Sequence, residues 1–276
     1  MRALRFATLI LLAAAHQASA SVGPVSRPNR AVRTASRVAK GMVMVPAGHH
    51  RPLYAAPRAE RVAVAAFSLD RDQVTVGEFL AFVDRHPEWR RDRVRRVFAD
   101  VNYLADWPAS TDAGSPAARR RPVTQVSWFA ARAYCASLGK RLPTVDEWEY
   151  VAAASEHTAD ARRDPAFRSR LLALYAGVGR QTGAASFVNA YGVRAMHGVV
   201  WEWTLDFNSV VLDDDSRATG SGADGRDRHL YCASASIGAT DPSDYPAFLR
   251  QAVRAGLGAR SSTSTVGFRC AAGGLS

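Results

Sequence analysis

The chain has 276 residues, 47% of them hydrophobic and 22% charged, and a formal net charge of +11 at pH 7. That length holds one large domain or two small ones, and a basic balance raises nucleic acid, a membrane surface or an acidic partner as candidates. The excess is nearly all arginine, with only Lys40 and Lys140 as lysines; outside Arg90–Arg96 and Arg119–Arg121 the arginines are scattered, which reads as solvated surface and argues against nucleic acid.

In chain order, Met1 to Arg5 is a short basic segment, Phe6 to Ala15 is apolar, and Ala18-Ser19-Ala20 is a small-residue cleavage site. The apolar run, about ten residues, is too short for a hydrocarbon core of ~30 Å at 1.5 Å per residue. No second run of spanning length follows. Residues 1–20 therefore read as an export signal, leaving a mature chain that starts near Ser21, has a net charge of +9 and has no membrane span; in a Gram-negative cell its compartment is the periplasm. Residues 21–40 carry five positive charges, no acid and no aromatic, and read as a flexible leader.

The remaining stretch, 41–276, reads as one α+β domain with much loop. Met42-Val43-Met44-Val45, closed by Pro46, predicts a strand, and Val62 to Leu69 predicts another. Thr75-Val76-Gly77-Glu78 is a capping box, followed by Phe79, Leu80, Phe82 and Val83 at helical spacing and ended before Pro87. Ser127 opens a helix from Trp128 to Leu138 that Gly139 stops. Thr144-Val145-Asp146-Glu147 is a second capping box, opening a helix to about Ala154. Beyond residue 155 the periodicity fades into short apolar pieces. Trp201 and Trp203 sit in a strand-like stretch, and Arg250 and Arg254 are assigned to a final strand.

The three cysteines, Cys135, Cys232 and Cys270, form no Cys-x-x-Cys pair, so a structural zinc site is not expected. In an exported chain an odd count suggests one disulfide and one free thiol.

The stretch Val123 to Ala154 carries a Ser-Trp helix with a cysteine, then Gly-Lys-Arg-Leu-Pro-Thr and Glu-Trp-Glu-Tyr. Three further blocks agree in order: Met42–Pro46, Asp70–Val83 and Tyr191–Thr204. Gly267-Phe268-Arg269-Cys270-Ala271 closes the set. Together they resemble the formylglycine-generating (sulfatase-modifying factor) family over about residues 41–272. The resemblance implies that family's loop-rich α+β fold, related to C-type lectins.

It also implies roles for single residues. Cys135 is expected to pair with Cys270, while the family's second disulfide is lost, its positions holding Ala152 and Gln251. Cys232 matches the first of two active-site cysteines, five residues apart, that hold Cu(I) in the family; soft thiolates suit that ion. The second position is here Ile237 or, on a shifted alignment, Pro246, so one thiolate is missing. His229, Met196 or His197 would have to complete a copper site, with His229-x-x-Cys232 the nearest pair. The alternative is that His229 is a surface side chain and Cys232 a small buried one. Calcium is implied at Glu202, although the family's asparagine nearby has become Val199; Asp206 and Asp213-Asp214-Asp215 are a substitute or simply an acidic loop. Arg254 and Trp201 are expected in the substrate groove.

A sub-group that shares the Met196–Trp203 and Ile237–Tyr245 blocks, and the cysteine loss, resembles exported accessory proteins of copper nitrite reductases. The expected function is thus a variant or degenerate maturation or accessory factor that binds a protein or peptide. The alternative is an active copper- and oxygen-dependent oxidase using Cys232. The family's iron-dependent, sulfoxide-forming branch is not expected, since its His-x3-His-x-Glu motif is absent and His49-His50 has neither its spacing nor its glutamate.

Overall fold

The computed structural model describes residues 41–54, 61–179, 186–208 and 239–274. The expected signal peptide and leader, Cys232, His229, Ile237 and Asp213–Asp215 lie outside them.

Four segments lead: β1 (Met42–Val45), β2 (Gly48–His50), β3 (Val62–Val64) and β4 (Phe67–Asp70). The single strand expected over Val62–Leu69 is two. Alternation breaks at Ala65 and Ala66, both exposed, after which Phe67, Ser68 and Leu69 are buried in succession. Thus β3 pairs with β2, while β4 pairs antiparallel with β1 on one side and with β7 (Ala271–Gly273) on the other. The beginning and end of the domain close on one sheet.

The helices begin where their caps stand. Thr75 and Glu78 form the capping box of α1 (Val76–Arg85). Two further helices are α2 (Pro116–Arg119) and α3 (Trp128–Ser137), the latter capped by Ser127. Gly139, at φ +67, supplies the left-handed residue that ends α3. A second capping box, Thr144 with Glu147, opens α4 (Val145–Ala152). Residues after 155 hold two helices beyond those expected: α5 (Pro165–Ala176) and α6 (Tyr245–Ala255). Both have an aspartate N-cap and a proline in the first turn. The buried residues of α6 are Pro246, Ala247, Arg250 and Arg254, so its inward stripe is charged and is not the side that an apolar pattern would bury.

Between β4 and the closing strand runs a short parallel ladder, β5 (Trp201–Glu202) against β6 (Val266–Gly267). One core packs Phe79, Phe82, Tyr134, Trp203 and Phe268 between α1, α3 and this ladder. A second packs Trp148 and Val151 of α4 under the three-stranded sheet. Cys135 of α3 and Cys270, both fully buried, are joined at a Cα separation of 5.6 Å, closing a span of 135 residues. The disulfide is the expected one.

Candidate functional site

A cavity of about 550 Å³ opens between the end of β2, the loop that follows it, the first turns of α4, the loop around Asp160–Arg163 and the inner face of α6. That size suits a small ligand or a few peptide side chains.

Its floor is built by three charges. Glu149 faces inward because α4 starts at the Thr144 cap, which sets the phase that also buries Trp148 and Val151. Arg250 of α6 approaches it through Nε, at 2.9 and 3.0 Å, and through Nη2, at 2.6 Å. Arg254, one turn on, donates from Nη1 at 2.6 Å. Both guanidinium groups stand over the Trp148 ring, at 5.9 and 5.0 Å from its centroid. Burial alone would push the Glu149 carboxyl up, but Arg250 and Arg254 reverse this and hold it well below the usual carboxylate range. The arginines expected on a final strand are therefore a buried pair on a helix.

The network continues inward. Arg250 Nη1 donates to Tyr175 Oη at 2.8 Å, and Tyr175 Oη lies 2.8 Å from His197 Nδ1. His197 Nε2 is 2.9 Å from the Ala152 carbonyl, which only accepts. Nε2 therefore carries the proton, and Nδ1 accepts from Tyr175. Burial, with Arg250 close by, lowers the His197 pKa to about 3, so the ring is neutral. With both nitrogens occupied, His197 has no lone pair for copper, which removes it from the candidate ligands. Met196 lies buried in the core beneath the sheet.

At the opposite wall, His50 ends β2 and is 4% exposed. Its Nε2 stands 3.7 Å from Asp146 Oδ1, beyond hydrogen-bond reach, and its Nδ1 has no partner among the described residues. Burial lowers the His50 pKa to about 4. Burial raises that of Asp146, and Asp206, Glu149 and Glu147 add to the rise. Asp206 also lines the cavity and accepts from Val145 N at 2.7 Å.

Among the expected site residues, Arg254 belongs to the cavity but Trp201 does not line it. The Trp201 ring packs on Tyr175 at a centroid distance of 4.8 Å, supporting the tyrosine that holds Arg250. Glu202 is fully enclosed. Its two oxygens accept from Arg269 Nε and Nη2, each at 2.8 Å, and from Gln73 and Trp148, each at 2.9 Å. A carboxylate filled by four N–H donors, one group of them cationic, is a structural anion and not the oxygen donor a calcium ion requires. The calcium reading of Glu202 is corrected accordingly. Among the described residues no group of three or more His, Cys, Asp or Glu side chains has a metal-holding arrangement. Cys232 and His229 lie outside those residues.

Glu149, Asp146, His50 and Tyr175 escaped the sequence reading. Only Glu149 left a signal, the second glutamate of Glu-Trp-Glu-Tyr; the others become site residues through contacts between distant segments.

The chain matches the family model described as the sulfatase-modifying factor enzyme 1-like domain over residues 28–273. It is 30% identical to the formylglycine-generating enzyme of Thermomonospora curvata, with 87% of this chain and 96% of that one covered. It is 34% identical to the hercynine oxygenase of Mycobacterium tuberculosis over 52% of this chain and 38% of that protein. With the inactive C-alpha-formylglycine-generating enzyme 2 of Bos taurus it shares 32% identity over 60% of this chain and 55% of the relative. The chain thus spans about four tenths of the mycobacterial protein and about half of the bovine one.

Proposed function

Since the chain belongs to the sulfatase-modifying factor enzyme 1-like family, we propose that it is an exported, formylglycine-generating-enzyme-like accessory or maturation factor that binds a protein or peptide partner in the Arg254 cavity without oxidising it. The observation that carries this reading is a fully built cavity floor, Arg250–Glu149–Arg254, in a chain whose sequence offers Ile237 or Pro246 where a second thiolate is needed. A relative whose name marks it as inactive supports the absence of turnover. The partner proposed is an exported metalloenzyme, a copper nitrite reductase, on the strength of the Met196–Trp203 and Ile237–Tyr245 blocks.

Cys232 supports a second reading, a copper- and oxygen-dependent oxidase. His229, three residues before it in sequence, is the first candidate to replace the missing thiolate. One assay separates the two. A cysteine-containing substrate peptide is incubated with the protein, Cu(I) and oxygen and followed by mass spectrometry, while its binding is measured by fluorescence anisotropy. Binding that weakens in Arg254→Ala, with the peptide thiol intact, supports the accessory role. Aldehyde formation that Cys232→Ala abolishes overturns it in favour of the oxidase.

A further inference from the structure

The arginine run Arg90–Arg96 lines no part of the cavity. It leads into two turns. The Arg95 carbonyl accepts from Phe98 N at 2.8 Å, with Arg96 and Val97 between them, and the Asp100 carbonyl accepts from Tyr103 N at 3.4 Å, with Val101 and Asn102 between them. Central turn positions favour Gly, Pro, Asn, Asp and Ser, yet each of these turns presents a valine. Val97 is 54% exposed, and Val101, at 81%, is the most exposed large hydrophobic side chain among the described residues. The segment is firmly tied down. Arg91 Nη1 donates to the carbonyls of Leu104 at 3.0 Å and Trp107 at 2.9 Å, and the Asp100 carboxylate accepts from Ser262 N and Asn102 N, each at 3.0 Å. Both valines are therefore held out on fixed turns. A single exposed valine is ordinary; two on successive turns beside free arginines form an amphipathic tip.

Arg93, Arg95 and Arg96 are exposed and make no ion pair with a described residue. Arg260, also exposed, is joined to the second turn through its carbonyl, which accepts from Asp100 N at 3.1 Å. Behind the turns the half-buried rings of Trp89, Phe98, Phe129 and Trp128 form a row, with successive centroids 5.9, 5.3 and 5.3 Å apart. Arg95 stands over Phe98 at 5.6 Å and Arg132 over Trp128 at 5.5 Å. Exposed aliphatic tips, half-buried aromatic rings and free guanidinium groups match in turn the acyl boundary, the interfacial zone and the phosphates of an anionic bilayer. A single-stranded nucleic acid calls for open aromatic faces on which bases stack, and a soluble acidic partner gives the valines nothing to enter.

We propose that the two turns between Arg93 and Asn102 are a docking surface for an anionic phospholipid bilayer. The protein sits on it peripherally. Val97 and Val101 enter the headgroup boundary, while Arg93, Arg95, Arg96 and Arg260 meet lipid phosphates. The net charge of +11 draws the chain toward such a surface, and the turns set which side lands. This surface is separate from the Arg254 cavity and does not depend on what that cavity binds.

The test floats the purified protein with vesicles of phosphatidylcholine, alone or with about 30% phosphatidylglycerol, at about 0.1 M and about 0.5 M salt. Binding is expected to the anionic vesicles and not to the neutral ones, and to weaken at the higher salt. The triple variant Arg93→Gln/Arg95→Gln/Arg96→Gln should weaken it about fivefold per charge removed. The double variant Val97→Ser/Val101→Ser, which keeps every charge, should weaken it about threefold or more. Arg119→Gln/Arg120→Gln/Arg121→Gln removes the same charge from the other arginine run and should leave most of the binding. Residues 1–40 are identical in every variant, so differences between variants report the turns. All substituted side chains are exposed, and unchanged melting temperatures exclude a folding effect. Equal binding to neutral and anionic vesicles overturns the proposal. So does an equal loss in the 119–121 variant, or a valine variant that binds as tightly as the parent. Polyglutamate or a DNA oligonucleotide that binds through Arg93, Arg95 and Arg96 when anionic vesicles do not would assign the surface to a soluble acidic partner and sink the bilayer reading.

Discussion

Arg254 and Glu149 meet at 2.6 Å across 105 residues of sequence, and with Arg250 they place two buried guanidinium groups on one buried carboxylate. Removing the carboxylate strands both cations, and breaking such a pair costs about 3–5 kcal/mol. Glu149→Gln should therefore lose about that much in urea unfolding. Arg254→Lys should lose less, because a cation stays near Glu149. A Glu149→Gln loss below about 1 kcal/mol would show that solvent reaches the pair.

The same buried groups make the fold acid-labile. His50 and His197 have folded pKa values lowered to about 4 and about 3 by burial. A histidine unfolded near 6.5 binds its proton before the native one does, so stability is lost as pH falls below 6.5. By linkage each ring should cost about 2 kcal/mol by pH 5. Glu149 acts lower. Its folded pKa is depressed, so its contribution is complete above the unfolded value of about 4.3 and is lost as pH falls below it. Stability should be flat between about pH 7 and 9, fall below about 6.5, and continue falling in strong acid. His197→Gln should shallow the first slope; a pH 5 stability equal to that at pH 7 would contradict the assignment.

The disulfide between Cys135 and Cys270 closes 135 residues, for which the chain-entropy model gives about 5 kcal/mol. Non-reducing peptide mapping should recover the Cys135–Cys270 cross-link with Cys232 as free thiol. Cys270→Ser should lower stability by up to that amount. A cross-link from Cys232 to either partner would refute the pairing.

Glu202 and Arg269 form a second enclosed pair. Glu202→Gln should destabilise by about 3–5 kcal/mol, equally in calcium and in EDTA. A loss that appears only in calcium would restore the metal reading.

Export is checked at the N-terminus. Intact-mass analysis of protein from its native envelope should give a chain beginning near Ser21. Residues 1–20 still attached would end the export proposal.

The sequence by itself determined what depends on neighbouring residues. The capping boxes at Thr75 and Thr144, the Ser127 start and the Gly139 stop are local chemistry, and each stands where the spacing put it. Family membership was equally legible, because the Ser127-Trp128, Gly139–Thr144 and Glu147–Tyr150 motifs are contiguous. Only the tertiary structure decided which charges are inside. Arg250 and Arg254 read as charged positions of an amphipathic segment, and they become core residues because Glu149 reaches them from another helix. Glu202 looked like an oxygen donor until Arg269, Gln73 and Trp148 converged on it. A charged side chain is buried only where a counterpart reaches it, and for Arg250, Arg254 and Glu202 that counterpart comes from a distant segment, with no local signature in the sequence.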